Sequence, residues 1–233
     1  MTRRQWESLG EVVLCSGFPT QLLLTGAALL AGLRPEAEHG GLSLAFVATI
    51  SAADTVALVC LMLVLLRRRG ESPWHLFLGT RPQGRDLALG LVLAPAVVVF
   101  ISTTIWLLRA LWPALRTVPT NPLEVLAATP HGALVLGAVA VVAGGLREEM
   151  QRAFLLYRFR TDLGGAGRGV FVTSVAFGLG HVVQGGDAVV VTALLGAFWS
   201  LLYLTRGSIT AGVVSHALAN AVQVVVAYVQ GQV

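Results

Sequence analysis

Charge is scarce in this sequence. Charged residues make up only 12% of its 233 positions, and lysine is absent. A soluble domain carries about 25% charged residues, so the chain lacks the polar surface that folding in water requires. Hydrophobic residues instead account for 55% of the positions. The composition therefore excludes a disordered chain and indicates an integral membrane protein.

Cysteine is also rare. Cys15 and Cys60 are the only two, and both lie in apolar runs. This excludes a disulfide-rich secreted module and a cysteine-based metal site, and it predicts two buried thiols. The net charge is only +4, and the basic residues are distributed between apolar runs. The sequence therefore predicts no nucleic-acid partner.

Long apolar runs make up most of the chain. A bilayer span needs roughly 20 apolar residues, and lipid leaves helices as the structure that satisfies the backbone. The apolar segments are 12–33, 42–66, 87–108, 132–158, 169–185, 187–204 and 208–229. The sequence thus predicts an all-α polytopic membrane protein with about seven transmembrane helices in one bundle.

Arginine placement predicts the orientation of these segments. Arginines are concentrated before the first segment and in alternate connections, whereas the other connections hold few. The concentrated ones are Arg3, Arg4, Arg67, Arg68, Arg69, Arg81, Arg85, Arg158, Arg160, Arg168 and Arg206. By the positive-inside rule, we expect the N-terminus inside, the C-terminus outside and a bacterial inner (cytoplasmic) membrane. The amphipathic stretch 74–78 should then lie at the inner headgroups.

Ionisable side chains at membrane depth are costly and usually functional. In this chain they are Asp54, Arg147, Glu148, Glu149, Arg152, His181 and His216, accompanied by the amides of Gln151 and Asn220. All but Asp54 lie in the C-terminal half. We therefore divide the single structural domain into N-terminal helices with an inner-face loop, 1–131, and a motif-bearing catalytic core, 132–233. Asp54 is interpreted as a structural carboxyl bonded to Ser51 or Thr55.

Helical spacing groups these residues. Residues four apart share a helix face, so Glu148 should pair with Arg152. Phe177 and His181 share a face for the same reason, as do His216 and Asn220. Small residues crowd the three helices and allow close approach. We expect one cavity opening toward the inner face, with the two imidazoles within roughly 15 Å, about ten residues of helix rise.

These groups have the chemistry of water activation. A carboxylate next to a guanidinium can take a proton from water as a general base. The imidazoles of His181 and His216 could orient that water or, with Glu148, hold a catalytic Zn²⁺. The amide of Asn220 could donate to a developing oxyanion. Together they are suited to cleaving an amide bond inside a membrane.

At these residues the sequence resembles a known family. Glu148-Glu149 with Arg152, Phe177-x-x-x-His181 and His216-x-x-x-Asn220 look like the three motifs of the CAAX prenyl protease and bacteriocin-processing (CPBP, or Abi) intramembrane proteases. The resemblance covers about residues 132–225. It implies an endopeptidase that removes a C-terminal tripeptide from prenylated proteins, or processes peptides and sorting tails. The implied substrate is a protein or peptide with a lipidated or membrane-embedded segment.

The resemblance also implies residue roles. The first family glutamate, the proposed water-activating base, corresponds to Glu148, and the oxyanion-stabilising asparagine to Asn220. The family histidines correspond to His181 and His216. Members have been described both as metalloproteases and as metal-independent glutamate proteases, so the resemblance leaves Zn²⁺ open.

The first motif departs from the family pattern. Three residues usually separate the second glutamate from the arginine, but only Met150 and Gln151 separate Glu149 from Arg152. If the family pattern is aligned on the arginine, Arg147 occupies the position of the first family glutamate and Glu148 that of the second. Anchored on the glutamates, the alignment moves the arginine about 100° around the helix. We therefore predict Glu148 as the base, with Glu149 as its rival.

Two other classes of function stay open from the sequence. One is a catalytically silent membrane scaffold or immunity factor, and the other is a proton-coupled transporter that uses the same side chains as a relay. A transporter should contain inverted repeats, and the sequence has none. Other intramembrane protease signatures, H-E-x-x-H, G-x-S-x-G and paired aspartates, are absent.

Overall fold

The structure, a computed structural model, describes residues 1–37 and 40–232. Within these residues it is helical and contains no strand beyond a single Glu36–Leu42 bridge. The α-helices are α1 (Arg3–Leu14), α2 (Phe18–Leu30), α3 (Leu44–Arg68), α4 (Pro73–Leu78), α5 (Gln83–Leu111), α6 (Pro122–Ala127), α7 (Pro130–Val139), α8 (Glu148–Asp162), α9 (Ala166–Leu179), α10 (Gly186–Arg206) and α11 (Thr210–Gln230). A π-helix, Ala140–Arg147, joins α7 to α8, and 3₁₀ turns form at Pro113–Leu115 and Val182–Gln184.

Four single helices, α3, α5, α10 and α11, are long and apolar enough to cross a membrane among the described residues. Helices α1 and α2 together would make a fifth span, bent by 43°. The bend follows from Gly17, whose φ is +90°, and from the proline in the first turn of α2. The all-α polytopic membrane fold is confirmed, whereas the number of seven spans stays a prediction.

The predicted fifth segment, 169–185, is wrong as one continuous helix. Helix α9 ends at Leu179, and the chain then turns through His181 into the 3₁₀ turn. Gly185 follows with a φ of +120°, a conformation that favours glycine. Gly178 and Gly180 lower the helix propensity at this end. His181 therefore lies just past a helix end, and not within a helix.

Many of the concentrated arginines meet at one end of the bundle, which we call the arginine-rich end. Arg158 is fully buried there between Glu11 (2.5 Å) and Glu71 (2.6 Å). Arg69 bridges Glu11 and Asp162. Burial raises the pKa of the Asp162 carboxyl, but the hydrogen bond from Ser8 and the nearby arginines outweigh this effect and hold it below its usual range. These ion pairs connect α1, α3 and α8.

The amphipathic stretch predicted at 74–78 forms helix α4 at this end. Leu76 and Phe77 are buried, while Trp74 is 75% exposed. The carbonyl of Leu76 accepts a hydrogen bond from the Tyr203 hydroxyl, and that of Phe77 accepts one from the Ile209 N–H. Helix α4 is therefore anchored to the connection between α10 and α11.

The largest hydrophobic core cluster combines the N-terminal helices with α8. Cys15, Leu58 and Met62 pack there with Phe154 and Leu156. The two parts of the chain thus share a core, and the division at residue 131 stays a prediction. Cys15 is buried as predicted, but Cys60 is exposed on α3, so the prediction of a second buried thiol is wrong. A cysteine in an apolar run can face either the lipid or the protein core, and only the packing of the helices decides which.

Close helix packing behind the site depends on small residues. A Cβ at Gly90 on α5 would lie 2.6 Å from Val214 Cβ, and one at Gly145 in the π-helix would lie 2.7 Å from Ala217 Cβ. Both neighbours belong to α11. Glycine at these positions therefore lets α11 contact the helices that carry the site.

We expect Gly145→Ala to destabilise the protein by about 1–3 kcal/mol, because overpacking displaces α11 from the π-helix. The added methyl would also lie 3.1 Å from Ala217 Cα, which a rotamer change cannot relieve. Gly137→Ala on α7 is the matched control, since a Cβ there contacts nothing within 4 Å. Thermal unfolding in detergent measures both. Equal stability of the two variants would contradict the close-packing argument.

Candidate active site

The π-helix determines how the two glutamates begin α8. The N–H of Glu148 donates to the carbonyl of Ala143, five residues back, where an α-helix would use a spacing of four. The wider turn rotates the following residues around the axis. Such π segments are frequent at functional sites.

Glu149 is buried, and one of its carboxylate oxygens has two partners. It is 1% exposed, and its Oε1 lies 2.9 Å from Nδ1 of His216 and accepts a hydrogen bond from Arg152. Gly212 on α11 makes room for this carboxylate, because a Cβ there would lie 2.7 Å from Glu149 Oε2. Glu149 therefore connects α8 to α11 through the His216 imidazole, while its ion pair with Arg152 lies within α8.

The predicted pairing of Glu148 with Arg152 is wrong, because Arg152 pairs with Glu149, three residues earlier. Both spacings lie on one helix face, so spacing alone could not decide between them. The guanidinium carbon of Arg152 lies 4.8 Å from the Phe177 ring centroid and 5.5 Å from that of Trp199. These aromatic faces hold Arg152 on the Glu149 side.

Glu148 has a different environment. Its Oε2 lies 3.8 Å from Nε2 of His216, and its Oε1 lies 3.8 Å from Nη2 of Arg147. Its side chain is 17% exposed and lines a cavity, so it is the glutamate that a substrate can reach.

Arg147 also contacts the carboxyl of Asp54 at 3.6 Å and donates to Oε1 of Gln151. The predicted partners of Asp54 are wrong. It accepts a hydrogen bond from Thr20 at 2.6 Å, while Thr55 bonds to the Ser51 carbonyl. Residues four apart are geometrically available, but the packed α2 offers a better donor. Asp54 thus connects the N-terminal helices to the site.

His216 is held between Glu149 and an indole ring. The ring of Trp199 stacks on the imidazole with 3.7 Å between centroids and 17° between planes. The Trp199 N–H donates to Ser215 Oγ at 3.1 Å, which fixes the indole in turn. The sequence does not mark Trp199 as a site residue, because Trp199 carries no charge and belongs to none of the spaced motifs.

His181 lies on the other side of Phe177. Its Nδ1 is 2.8 Å from the carbonyl of Phe177, and since a carbonyl can only accept, that nitrogen carries the proton. The Phe177 ring centroid lies 4.8 Å from that of His181 and 6.2 Å from that of His216. The imidazoles are thus no farther apart than the sum of these distances, which is below the expected limit.

Asn220 completes the set on α11. Its Nδ2 donates to the carbonyl of Ala140 in the π-helix at 3.4 Å. A Cβ at Gly144 would lie 2.5 Å from the same nitrogen. A glycine in the π-helix therefore makes the space that the amide occupies.

The predicted residues converge on a cavity of about 360 Å³. Glu148, His181, His216 and Asn220 all line it, whereas Glu149 and Arg152 lie behind its wall. The cavity extends towards the end of the bundle opposite the arginine-rich end, where Arg109, Asn121, Gln184 and Asp187 line it. The expected opening toward the arginine-rich side is therefore wrong for this cavity. The positions of the arginines predict the orientation in the membrane, but they do not predict at which end of the bundle the helices leave a cavity between them.

The donor set does not fit a three-ligand metal site. Within residues 1–37 and 40–232, no three His, Cys, Asp or Glu side chains are arranged to hold a metal ion. Glu148 and His216 approach each other, but the predicted set of His181, His216 and Glu148 does not form such a group. A catalytic zinc normally takes three protein ligands, and this donor set does not supply them.

Residues 129–222 match the family model of the Rce1-like proteins, type II CAAX prenyl endopeptidases. The resemblance predicted from the motifs is confirmed. The matched Rce1-like segment contains every predicted site residue and supports an intramembrane endopeptidase of CAAX protease type in an integral membrane protein. Comparison with curated proteins and with solved structures gave no match.

Proposed function

We propose that the protein is an intramembrane endopeptidase in which Glu148 activates water to hydrolyse a peptide bond. One observation carries this proposal. Of the two adjacent glutamates, Glu149 is bound by Arg152 and His216, while Glu148 faces the cavity that His181, His216 and Asn220 also line. A general base must reach the proton that it abstracts, and the cavity-lining position of Glu148 supports it in this role over Glu149.

The first step is attack by water. A water molecule between Oε2 of Glu148 and Nε2 of His216, 3.8 Å apart, could hydrogen-bond both. As Glu148 accepts its proton, the water oxygen forms a bond to the scissile carbonyl carbon. The carbonyl oxygen of the tetrahedral intermediate then carries the negative charge.

The second step is collapse of that intermediate. Asn220 has two amide hydrogens, of which one is directed to Ala140, so the other is free to donate to the oxyanion. Glu148 returns its proton to the leaving nitrogen as the carbon–nitrogen bond breaks. The products are a carboxylic acid and an amine, which balance one peptide bond and one water.

Glu149, Arg152 and Trp199 act as positioning residues for His216. The Glu149 carboxylate accepts from the Nδ1–H of His216, so Nε2 presents its lone pair towards Glu148. Trp199 fixes the plane of the imidazole by stacking. Arg152 balances the buried charge of Glu149.

We propose as substrate a protein or peptide with a lipidated or membrane-embedded segment, cut near its C-terminus or its leader. Apolar side chains such as Ile101, Leu136 and Val191 line much of the cavity of about 360 Å³, which suits such a segment. We place the protein in a bacterial inner membrane with its N-terminus inside and its C-terminus outside. Mass spectrometry of envelope proteins from cells with and without this protein would identify the substrate.

We expect the purified protein in proteoliposomes to cleave a model substrate at an unchanged rate after exhaustive chelation, because Glu148 needs no metal to accept a proton. The measurement is the initial rate before and after chelation, with metal analysis of the same sample. The control is a zinc endopeptidase cleaving its own substrate under identical treatment. Loss of activity that stoichiometric Zn²⁺ restores would overturn the glutamate mechanism and leave a metalloendopeptidase.

A further inference from the structure

Asp54 and Arg147 are ionisable residues at membrane depth to which the proposed mechanism assigns no role. Asp54 lies on α3, outside the Rce1-like segment, which begins at residue 129. Its side chain is 1% exposed, and that of Arg147 is 10% exposed. Burying a charge is costly unless the charge is paired, so the contacts of these two side chains indicate what they do.

The guanidinium of Arg147 lies between two carboxylates. Its Nη2 is 3.6 Å from Oδ2 of Asp54 and 3.8 Å from Oε1 of Glu148. Both distances exceed that of a direct N–H···O hydrogen bond, which is about 2.9 Å. The direct hydrogen bond of Arg147 runs instead from its Nη1 to Oε1 of Gln151, at 2.9 Å. Asp54 and Glu148 therefore share the guanidinium, and neither binds it directly.

Two partners of Arg147 are fixed by the N-terminal helices. Oδ1 of Asp54 accepts a hydrogen bond from the Thr20 hydroxyl on α2 at 2.6 Å. Nε2 of Gln151 donates to the carbonyl of Cys15, at the end of α1, at 2.7 Å. Asp54 and Gln151 thus hold Arg147 from positions that are themselves bonded to the two helices of the α1–α2 bend.

Arg147 has space in which to move. Together with Glu148 it lines the cavity of about 360 Å³ and also a second cavity of about 160 Å³ beside the α1–α2 bend. Its Nε is buried and has no hydrogen-bond partner within residues 1–37 and 40–232. Opposite charges attract each other more strongly in a protein interior than in water. Without the charge of Asp54, Arg147 would therefore move towards Glu148 and bind it directly.

We propose that Asp54 is a positioning residue for the reaction, which keeps Arg147 from forming a direct ion pair with Glu148. This inference rests on the proposed function. A guanidinium that binds a carboxylate directly often donates to both of its oxygens. Such a pair would occupy the lone pair with which Glu148 must accept the proton of water. By sharing Arg147, Asp54 leaves that lone pair free.

The neighbouring Glu149 has the direct pair that Glu148 avoids. Arg152 donates to Oε1 of Glu149, and this carboxylate lies behind the cavity wall. The guanidinium next to Glu148 stays 3.8 Å away, because it is shared with Asp54. The two adjacent glutamates thus differ in whether a third carboxylate competes for the arginine beside them.

Asp54→Asn removes the charge but keeps the shape of the side chain and an acceptor for Thr20. We expect it to lower kcat for a model peptide about tenfold or more, part of what a general base contributes, because Arg147 then binds Glu148. KM should change by less than about twofold, since Asp54 lines neither cavity. The full-length protein in proteoliposomes is used, and kcat is expressed per folded molecule.

Adding Arg147→Gln to Asp54→Asn tests whether the effect acts through the guanidinium. The double variant should have a kcat at least about fivefold above that of Asp54→Asn alone, as expected for a coupled pair. A kcat that stays low would overturn the proposal. If Asp54→Asn alone fails to fold, the double variant is compared with Arg147→Gln. Agreement of their kcat values within about twofold would support action through Arg147, whereas a value about tenfold lower in the double variant would overturn it.

Asp86→Asn is the matched control, because Asp86 is also a buried aspartate paired with an arginine, Arg206, and lines neither cavity. It should lower the stability in detergent and leave kcat per folded molecule unchanged. An equal loss of kcat in both variants, or a normal kcat in a destabilised Asp54→Asn, would overturn the positioning role. Absence of cleavage by the unaltered protein, or normal cleavage by Glu148→Gln, would instead overturn the proposed function.

Discussion

Glu148→Gln is expected to lower kcat by about 10²–10⁴-fold, the usual contribution of a general base. The amide keeps the shape of the side chain and cannot accept the proton of water. Because Glu148 is partly exposed to the cavity and its contacts to Arg147 and His216 are 3.8 Å long, the protein should stay folded. Cleavage of a model peptide and thermal unfolding in detergent, measured on the same preparation, check both statements.

Glu149→Gln is the matched comparison, since it makes the same chemical change one residue along the helix. It should reduce turnover less, because Glu149 acts through His216, but it should reduce stability more, because Arg152 then loses its buried partner. If Glu149→Gln is inactive while Glu148→Gln keeps near-normal turnover, the general base is Glu149 and not Glu148. Normal cleavage by both variants would refute catalysis by either glutamate, whereas absence of cleavage by the unaltered protein would favour a scaffold.

Arg152→Ala is expected to destabilise the protein by about 3–5 kcal/mol, the usual effect of removing one partner from a buried ion pair. Glu149 is 1% exposed and Arg152 is 5% exposed, so water cannot replace the lost guanidinium. Activity should fall as well, because an uncompensated Glu149 no longer holds His216 in place. Chemical or thermal unfolding in detergent gives the free energy, and peptide cleavage gives the rate.

Arg160→Ala is the control for this change, because Arg160 is exposed on the same helix and forms no ion pair within the described part of the chain. Its unfolding free energy should change by less than about 0.5 kcal/mol. If the two variants are equally stable, Arg152 is not the buried partner of Glu149. If Arg152→Ala is unstable but fully active per folded molecule, Arg152 stabilises the protein as the ion-pair partner of Glu149 but does not help to position His216.

Motif spacing predicted most of the side chains that line the cavity of the candidate site. Residues four apart on a helix share a face, so His216 and Asn220 could be grouped from the sequence. The same rule grouped Phe177 with His181, and their rings are 4.8 Å apart between centroids although α9 ends before His181. All four line the cavity that contains Glu148. Spacing could not choose the partner of Arg152, since separations of three and four are both compatible with one face. The aromatic neighbours made that choice.

Other features of the site were not accessible to sequence reasoning. Trp199 carries no charge at membrane depth, and its contact with His216 joins two helices. The partners of Asp54 are on α2 and in the π-helix, far away in sequence. A π-helix has no simple sequence signature, because it depends on whether the neighbouring helices leave space for its wider turn. The stacking of Trp199, the partners of Asp54 and the π-helix all depend on contacts between segments that are distant in the sequence.

The sequence by itself determined that the protein folds in a membrane, and it predicted the chemistry. Too little charge to cover a water-facing surface requires a membrane, and lipid requires helices for the backbone. The cost of ionisable groups at membrane depth marked these residues as candidates for one functional cluster. The tertiary structure alone decided which glutamate faces the cavity, which one is bound by arginine and imidazole, and where the cavities extend. Local spacing fixes a residue's angle around its own helix, but only the packing of the other helices decides what occupies that direction.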